Sequence, residues 1–293
     1  MPTARTEIEV EGRRLRLSNL DKVMYPATGF TKGELIDYYV RVAPVLLPHL
    51  KRRPLTLKRY PNGVEGEFFY EKRCPSHAPG WVKKARMIEI DFCRCDDLPT
   101  LVWLANLADL ELHPSLSRAG APKRPTTLAF DLDPGEPAGL RECCEVALRL
   151  RETFGELGLE CFAKTSGSKG MQVYVPLNTK VGYDQTKPFA RAIAQLLEKQ
   201  DPKLVTSAMT KAERPGKVFI DWSQNDEHKT TICVYSLRAR ERPTVSTPLL
   251  WAEVERGDPD ALVFGAGELL ERVEGHGDLF APVDALEQKL PRL

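Results

Sequence analysis

The chain has 293 residues, 42% hydrophobic and 28% charged, with a formal net charge of +1. That excludes a peptide or a disordered tail and leaves a globular protein of one large domain or two closely packed lobes. No stretch of about 18 apolar residues occurs and Met1-Pro2-Thr3-Ala4-Arg5 lacks the apolar core of a signal peptide, so a cytosolic protein with no membrane partner is expected.

The charge is uneven. Basic clusters stand at Arg13-Arg14-Leu15-Arg16, Lys51-Arg52-Arg53, Lys58-Arg59, Lys83-Lys84 and Lys123-Arg124; each can be a solvated face, and local positive surface also suits phosphate. Seven cysteines, an odd number, point to free thiols in a reducing compartment. Cys74, His77, Cys93 and Cys95 are candidate zinc ligands, but Cys-x-Cys is not a usual structural zinc spacing, and zinc is not expected.

In chain order, Ile8-Glu9-Val10 and Leu15-Arg16-Leu17 alternate around Glu11-Gly12 as a hairpin, and Ser18 to Lys22 reads as a capped turn or short helix. Thr31-Lys32-Gly33-Glu34 fits a capping box, followed by a helical stripe of Leu35, Tyr38, Tyr39 and Val42 that should end by Pro44 and Pro48. Leu55 to Tyr60 and Glu67 to Lys72 read as strands flanking Pro61-Asn62-Gly63. Leu101, Leu104, Ala105 and Ala108 predict a helix over 98–110. Residues 114–126, with Pro114, Pro122 and Pro125, look like a connector between lobes of about 8–115 and 125–280 within one domain, 1–293.

Thr127 to Gly135 follows, a strand-like run that ends with two acids one residue apart. A period of two puts Leu128, Phe130 and Leu132 on one face and Asp131 and Asp133 on the other. Like charges that close repel and raise a pKa, so a divalent cation accounts for keeping both ionised; an acidic turn is the plainer alternative. A helix over 140–157, a strand over 158–164, a tight turn Thr165-Ser166-Gly167-Ser168-Lys169-Gly170, a strand over 172–176 and a helix over 185–200 come next. Strands over 217–222 and 229–235 close the series. The arrangement is mixed α/β of the α+β type with antiparallel hairpins, without the regular alternation of a doubly wound sheet.

Val218-Phe219-Ile220-Asp221-Trp222 again delivers an acid at the end of an apolar strand. Two acids from one strand and one from another suit two divalent ions about 4 Å apart; a turn cap is the lesser alternative for Asp221. The Ser-Gly-Ser-Lys-Gly turn offers backbone N–H groups, two hydroxyls and a cation to phosphate oxygens. It lacks the order of a Walker loop.

Four motifs, Asp131-Leu132-Asp133-Pro134-Gly135, Thr165 to Gly170, Asp221-Trp222-Ser223-Gln224-Asn225 and Tyr235-Ser236-Leu237-Arg238, occur in an order that resembles the polymerase domain of bacterial DNA ligase D. Leu20-Asp21-Lys22-Val23-Met24-Tyr25-Pro26, Asp37-Tyr38-Tyr39, Trp103 to Leu107 and Glu111-Leu112-His113-Pro114 match as well, so the likeness covers roughly residues 8–280. The resemblance implies a primase-polymerase fold, with a central, largely antiparallel sheet flanked by helices. It also implies template-directed nucleotidyl transfer at DNA ends in non-homologous end joining, with a bias toward ribonucleotides and manganese.

By the same resemblance, Asp131, Asp133 and Asp221 are the catalytic, metal-binding acids for two Mn2+ or Mg2+ ions. Ser166, Lys169, Arg238, His113 and Gln172 face a nucleoside triphosphate, His113 having a helix-end cap as its alternative. Lys22 and Lys32 hold a DNA 5′-phosphate, and Phe68 and Phe69 lie beside the template strand, with a core role as the alternative for one of them. The implied partners are gapped or overhanging DNA ends, nucleoside triphosphates, the Ku protein and a DNA ligase, in the bacterial nucleoid.

Two departures stand out. Gln172 occupies a position where many relatives carry histidine, and Gln224 one where some carry arginine; neither supplies a full charge, so nucleotide affinity or ribose preference is expected to differ. No lysine-centred ligase motif follows, which fits a free-standing polymerase or an excised domain. Two further readings are a non-catalytic module that bridges DNA ends and recruits a ligase, and a metal-dependent phosphoesterase. The second is disfavoured by five scattered histidines, none in a His-x-His group.

Overall fold

The structure, a computed structural model, describes residues 5–87 and 89–292. A hairpin of β1 (Arg5–Val10) and β2 (Arg13–Ser18) opens the chain. A turn over 19–22 and the short pair β3 (Val23–Tyr25) and β4 (Phe30–Thr31) lead into α1 (Lys32–Leu50). The capping box forms: Thr31 Oγ1 accepts from Glu34 N at 3.2 Å while Thr31 N donates to Glu34 Oε2 at 2.7 Å.

Contrary to the sequence expectation, α1 runs through Pro44 and Pro48. Each interior proline costs a helix about 3 kcal/mol. Both lie on the exposed face, where the freed carbonyls meet water. The opposite face buries Leu35, Tyr38, Tyr39, Val42 and Leu46, at about 1.5–3 kcal/mol for each large apolar side chain; the packed stripe outweighs the breakers.

The first sheet comprises β5 (Leu55–Arg59), β6 (Phe69–Glu71), β7 (Lys84–Met87), β8 (Ile90–Cys93) and, after α2 (Leu98–Asn106), β9 (Asp109–Pro114). The helix expected to reach residue 110 therefore stops early. Ala108 takes a left-handed φ of 58°, and the alternating Leu110 and Leu112 pair as a strand with β5. Cys74 and Cys93 form a disulfide and the other five cysteines are free and buried, which corrects the expectation of free thiols throughout. The pair meets because Cys74 N donates to Asp91 O at 2.7 Å, laying that segment along β8, a proximity that composition does not encode.

The second sheet has the order β11 (Phe162–Thr165), β12 (Met171–Pro176), β10 (Thr127–Pro134), β14 (Val218–Asp221), β13 (Val205–Thr206). All its pairings are antiparallel except β13 with β14. α3 (Leu140–Glu156) and α4 (Tyr183–Gln200) supply Val146, Ala147, Leu150, Ile193 and Leu197 to one core with Leu128, Phe130 and Leu132. The opposite face looks toward the first sheet, and Ala129 and Tyr174 join the core there.

No strand forms over 229–235. That segment lies beside β9 through Thr231 N to Pro114 O and Cys233 N to Leu112 O, then turns at Tyr235, whose φ is 66°. β15 (Leu237–Ala239) and β16 (Pro243–Val245) follow, then α5 (Trp251–Arg256), α6 (Ala266–His276) and α7 (Ala281–Ala285). Residues of 233–245 and 266–283 pack into the first core, with α1, although they follow the second sheet in sequence. Among the described residues no helix is long and apolar enough to cross a membrane.

Candidate active site

Asp131 and Asp133 sit on the central strand of the second sheet. Asp131 stands directly opposite Gln172 of β12 on one side and Asp221 of β14 on the other, and Gln172 in turn faces Lys164 of β11. A single cross-strand row therefore reads Lys164, Gln172, Asp131, Asp221. Asp133 lies two residues along β10 on the same face. Asn225 locks the turn after β14 onto β10, donating from Nδ2 to Ala129 O at 2.7 Å and accepting from Ala129 N at 3.0 Å.

Electrostatics confirms the crowding. Burial, then the charge of Asp133, and after these Asp221, outweigh the Gln172 hydrogen bond and the Lys164 charge and push Asp131 up to about 7. Burial and Asp221 likewise raise Asp133 against the pull of Arg214 and Arg238. Asp221 is engaged locally: Oδ1 accepts from Ser223 N at 2.9 Å and Ser223 Oγ at 2.6 Å, and Oδ2 accepts from Gln224 Nε2 at 2.9 Å. Accordingly, no three His, Cys, Asp or Glu side chains among the described residues converge as a ready-made metal cluster. The donor chemistry still fits hard divalent cations, because the three groups share one sheet face and offer carboxylate oxygens whose mutual repulsion a cation relieves.

A cleft of about 490 Å³ opens over this face, lined by Asp131, Asp133, Ser166, Lys169, Gln172, His113 and Arg238, together with Gln224, Tyr70, Lys72, His228 and Lys229. It thus gathers seven of the twelve candidate site residues; Asp221, Lys22, Lys32, Phe68 and Phe69 do not line it. The turn after β11 is shaped by glycine: a Cβ at Gly170 would meet Leu132 O at 2.1 Å, and Gly167 has a φ of 67°. Ser166 Oγ accepts from Ser168 N and Gly170 N, both at 3.2 Å. Arg238 Nη1 ties the turn to β15 by donating to Ser166 O at 2.5 Å, and Thr244 Oγ1 ties it to β16 by donating to Gly167 O at 2.6 Å. Lys169 is exposed and pairs with Glu136 at 3.0 Å. Gln172 is buried, and its Oε1 accepts from Tyr174 OH at 3.2 Å.

His113 lies within β9, so its reading as a helix-end cap is discarded. Its Nε2 is 3.1 Å from Glu111 Oε2, and burial holds its pKa below the usual value despite that carboxylate. Sequence reasoning passed over Lys72, His228 and Lys229; nothing in their local pattern separates them from other surface charges.

Lys22 and Lys32 form a separate station. Lys22 Nζ donates to Pro61 O at 2.5 Å and Asn62 Oδ1 at 3.2 Å, and Lys32 Nζ donates to Ser18 O at 2.7 Å. Burial, then the charges of Lys22 and Arg59, bring Lys32 down to about 8. Phe68 and Phe69 are 51% and 43% exposed, which removes the core alternative for both. Phe68 stacks on Tyr60 at 5.2 Å, and the Arg59 guanidinium lies 5.1 Å from the Phe69 ring centroid.

The fold and the acid-lined cleft define a class, the primase-polymerase type of DNA-directed nucleotidyltransferase domain. Residues 31–280 match the family described as LigD, primase-polymerase domain, and the chain belongs to that family. The multifunctional non-homologous end joining protein LigD of Mycolicibacterium smegmatis is 45% identical over 278 residues, covering 93% of this chain and 36% of that protein. The bifunctional non-homologous end joining protein LigD of Bacillus subtilis is 33% identical over 265 residues, 90% of this chain and 43% of the relative. The chain thus spans less than half the length of these relatives. A solved structure, the polymerase domain from Mycobacterium tuberculosis ligase D in complex with DNA, superposes with a TM-score of 0.89 at 43% identity, covering 94% of this chain and 99% of that one.

Proposed function

We propose that this domain adds nucleotides, ribonucleotides preferentially, to the 3′ ends of broken or gapped DNA under template direction, working with Ku and a DNA ligase in the bacterial nucleoid. The observation that carries the reading is the register of Asp131, which lines the cleft beside the Ser166 to Gly170 turn, with Asp221 on the neighbouring strand. Asp131, Asp133 and Asp221 would hold two Mn2+ or Mg2+ ions, which when bound activate a 3′-hydroxyl and neutralise triphosphate charge.

The chain's own groups divide the remaining work. The Ser166 to Gly170 turn, Lys169 and Arg238 bind and orient phosphate oxygens, and His113 and Gln172 flank the nucleotide. Gln172 is uncharged, so its contribution is a hydrogen bond rather than a full charge. Exposed Phe68 and Phe69 offer stacking faces to unpaired template bases. Lys22 and Lys32, away from the cleft lining, suit a 5′-phosphate at the far side of a gap. Primer extension on gapped, 5′-phosphorylated DNA tests the reading: Asp131→Ala should abolish incorporation, and extension equal to that of the unaltered protein would refute the catalytic assignment. Metal-dependent incorporation also separates this reading from a non-catalytic bridging module.

A further inference from the structure

Glu111 is almost completely buried, at 1% exposure, behind the cleft lining, and it is in contact with two of the residues that form that lining. Oε2 lies 3.1 Å from His113 Nε2 and accepts from Lys58 Nζ at 3.2 Å. Oε1 accepts from Ala239 N at 3.0 Å and lies 3.4 Å from Arg238 Nε. Two of those partners, His113 and Arg238, line the cleft, while Lys58 does not. Lys58 instead sits among three rings, 4.7 Å from the Phe68 centroid, 5.4 Å from Tyr60 and 5.6 Å from Tyr70.

A buried carboxylate that lost these partners would be costly, so the acid, its contacts to Lys58, His113 and Ala239 N–H, and the nearby Arg238 charge hold one another in place. Arg238 is shared further: its Nη1 braces the turn after β11 through Ser166 O. One side chain therefore touches a group from the aromatic strip and two groups from the nucleotide side.

We infer that Glu111 is a positioning residue that couples the ring cluster around Lys58 to the triphosphate-facing groups His113 and Arg238. The inference rests on the nucleotide-binding part of the proposed function, and it assigns to the template side an influence on how firmly a nucleoside triphosphate is held. Replacing one acceptor oxygen by an amide, as in Glu111→Gln, removes the charge that aligns Arg238 and His113 while leaving volume and the first core in place.

Isothermal titration of ATP in the presence of Mg2+ reads the effect directly. Glu111→Gln should raise Kd about tenfold. Lys58→Met, though outside the cleft lining, should raise it about threefold in the unaltered background and add nothing in the Glu111→Gln background. Where Glu111→Gln fails to fold, Glu111→Asp takes its place, with an intermediate loss of affinity and the same loss of additivity. An unchanged Kd in the glutamine or aspartate variant, or full additivity with Lys58→Met, overturns the inference. If the unaltered protein extends no primer while ATP binding follows the expected pattern, the polymerase reading falls and the role of Glu111 stands. Failure of the unaltered protein to bind ATP overturns both.

Discussion

Gln224 donates from Nε2 to Asp221 Oδ2 over 2.9 Å, and Ser223 fills the other oxygen, so Asp221 is at once a turn cap and the acid placed opposite Asp131. The two roles separate by substitution. Asp221→Asn keeps an acceptor for Ser223 and loses the charge. Its melting temperature should stay within a few degrees of the unaltered protein, while nucleotide incorporation falls at least about a hundredfold, or ~2.7 kcal/mol. Asp221→Ala should in addition lose about 1 kcal/mol of stability with the cap. Incorporation by the asparagine variant at the normal rate would leave only the cap.

Lys32 carries a pH signature. Its folded pKa of about 8 lies below the ordinary 10.5, so its charged form is disfavoured in the folded state, and stability should rise as pH climbs from about 8 toward 10.5. Recognition of a 5′-phosphate has the opposite slope, because it needs the proton that is lost in that range. The ratio of affinities for gapped DNA with and without a 5′-phosphate should shrink between pH 7 and pH 9. In Lys32→Arg, which stays charged, the ratio should hold.

Gly170 is fixed by space rather than by φ. A methyl group would sit 2.1 Å from Leu132 O, against backbone that cannot swing aside. Gly170→Ala is expected to cost at least about 2 kcal/mol and to weaken ATP binding by displacing the turn. Gly12→Ala is the comparison, with nothing within 4 Å of the added atom and only a φ of 74° to strain, at about 1 kcal/mol. Denaturant melts of the two variants give the ranking, and equal losses would contradict the packing argument.

Far from the cleft, His49 lies between Asp278 and Asp284, each 2.9 Å away, and Arg53 holds Asp284 at 2.8 Å. Burial opposes the proton on His49, but the two carboxylates prevail and raise its pKa above 6.5. The stabilisation is complete below 6.5 and fades as pH rises through the folded value. Asp278 and Asp284 are lowered despite burial, so their share is lost only as pH falls beneath the ordinary carboxylate range. The excess unfolding free energy of the unaltered protein over His49→Gln should shrink as pH rises from 6.5 toward 9, whatever the other groups contribute to both.

Phe68 and Phe69 make a prediction about binding without stability. Because both rings are exposed, Phe68→Ala and Phe69→Ala should leave the melting temperature nearly unchanged. Affinity for a single-stranded template overhang should drop by about 1–3 kcal/mol per stacked base lost. Fluorescence anisotropy with overhanging and blunt duplexes checks this; equal losses on both would argue against stacking.

Much of this site was legible because strands alternate. Leu128, Phe130 and Leu132 declare which face of β10 is buried, and that places Asp131 and Asp133 on the other without any knowledge of topology. The pairing of Asp131 with Asp221 was not legible, since a register between residues 90 apart is set by the whole sheet. Glu111 stands out in the sequence only within the motif 111–114, without a role of its own, because 98–110 reads as helix and only the positive φ of Ala108 reveals where the strand begins. Pro44 and Pro48 misled for a related reason: local propensity marks a stop, and only tertiary burial of Leu46 and Leu50 shows why the helix continues.

The return of 233–245 and 266–283 into the first core sets how this chain can be divided. A break at 114–126 would separate no self-sufficient piece. The upstream fragment would lack Tyr235, Leu237, Leu269 and Phe280 from its interior, and the downstream fragment would carry those side chains uncovered. Two such fragments made together would be an obligate pair for the first core, while the acids of β10 would keep their own core and their pairings with β12 and β14.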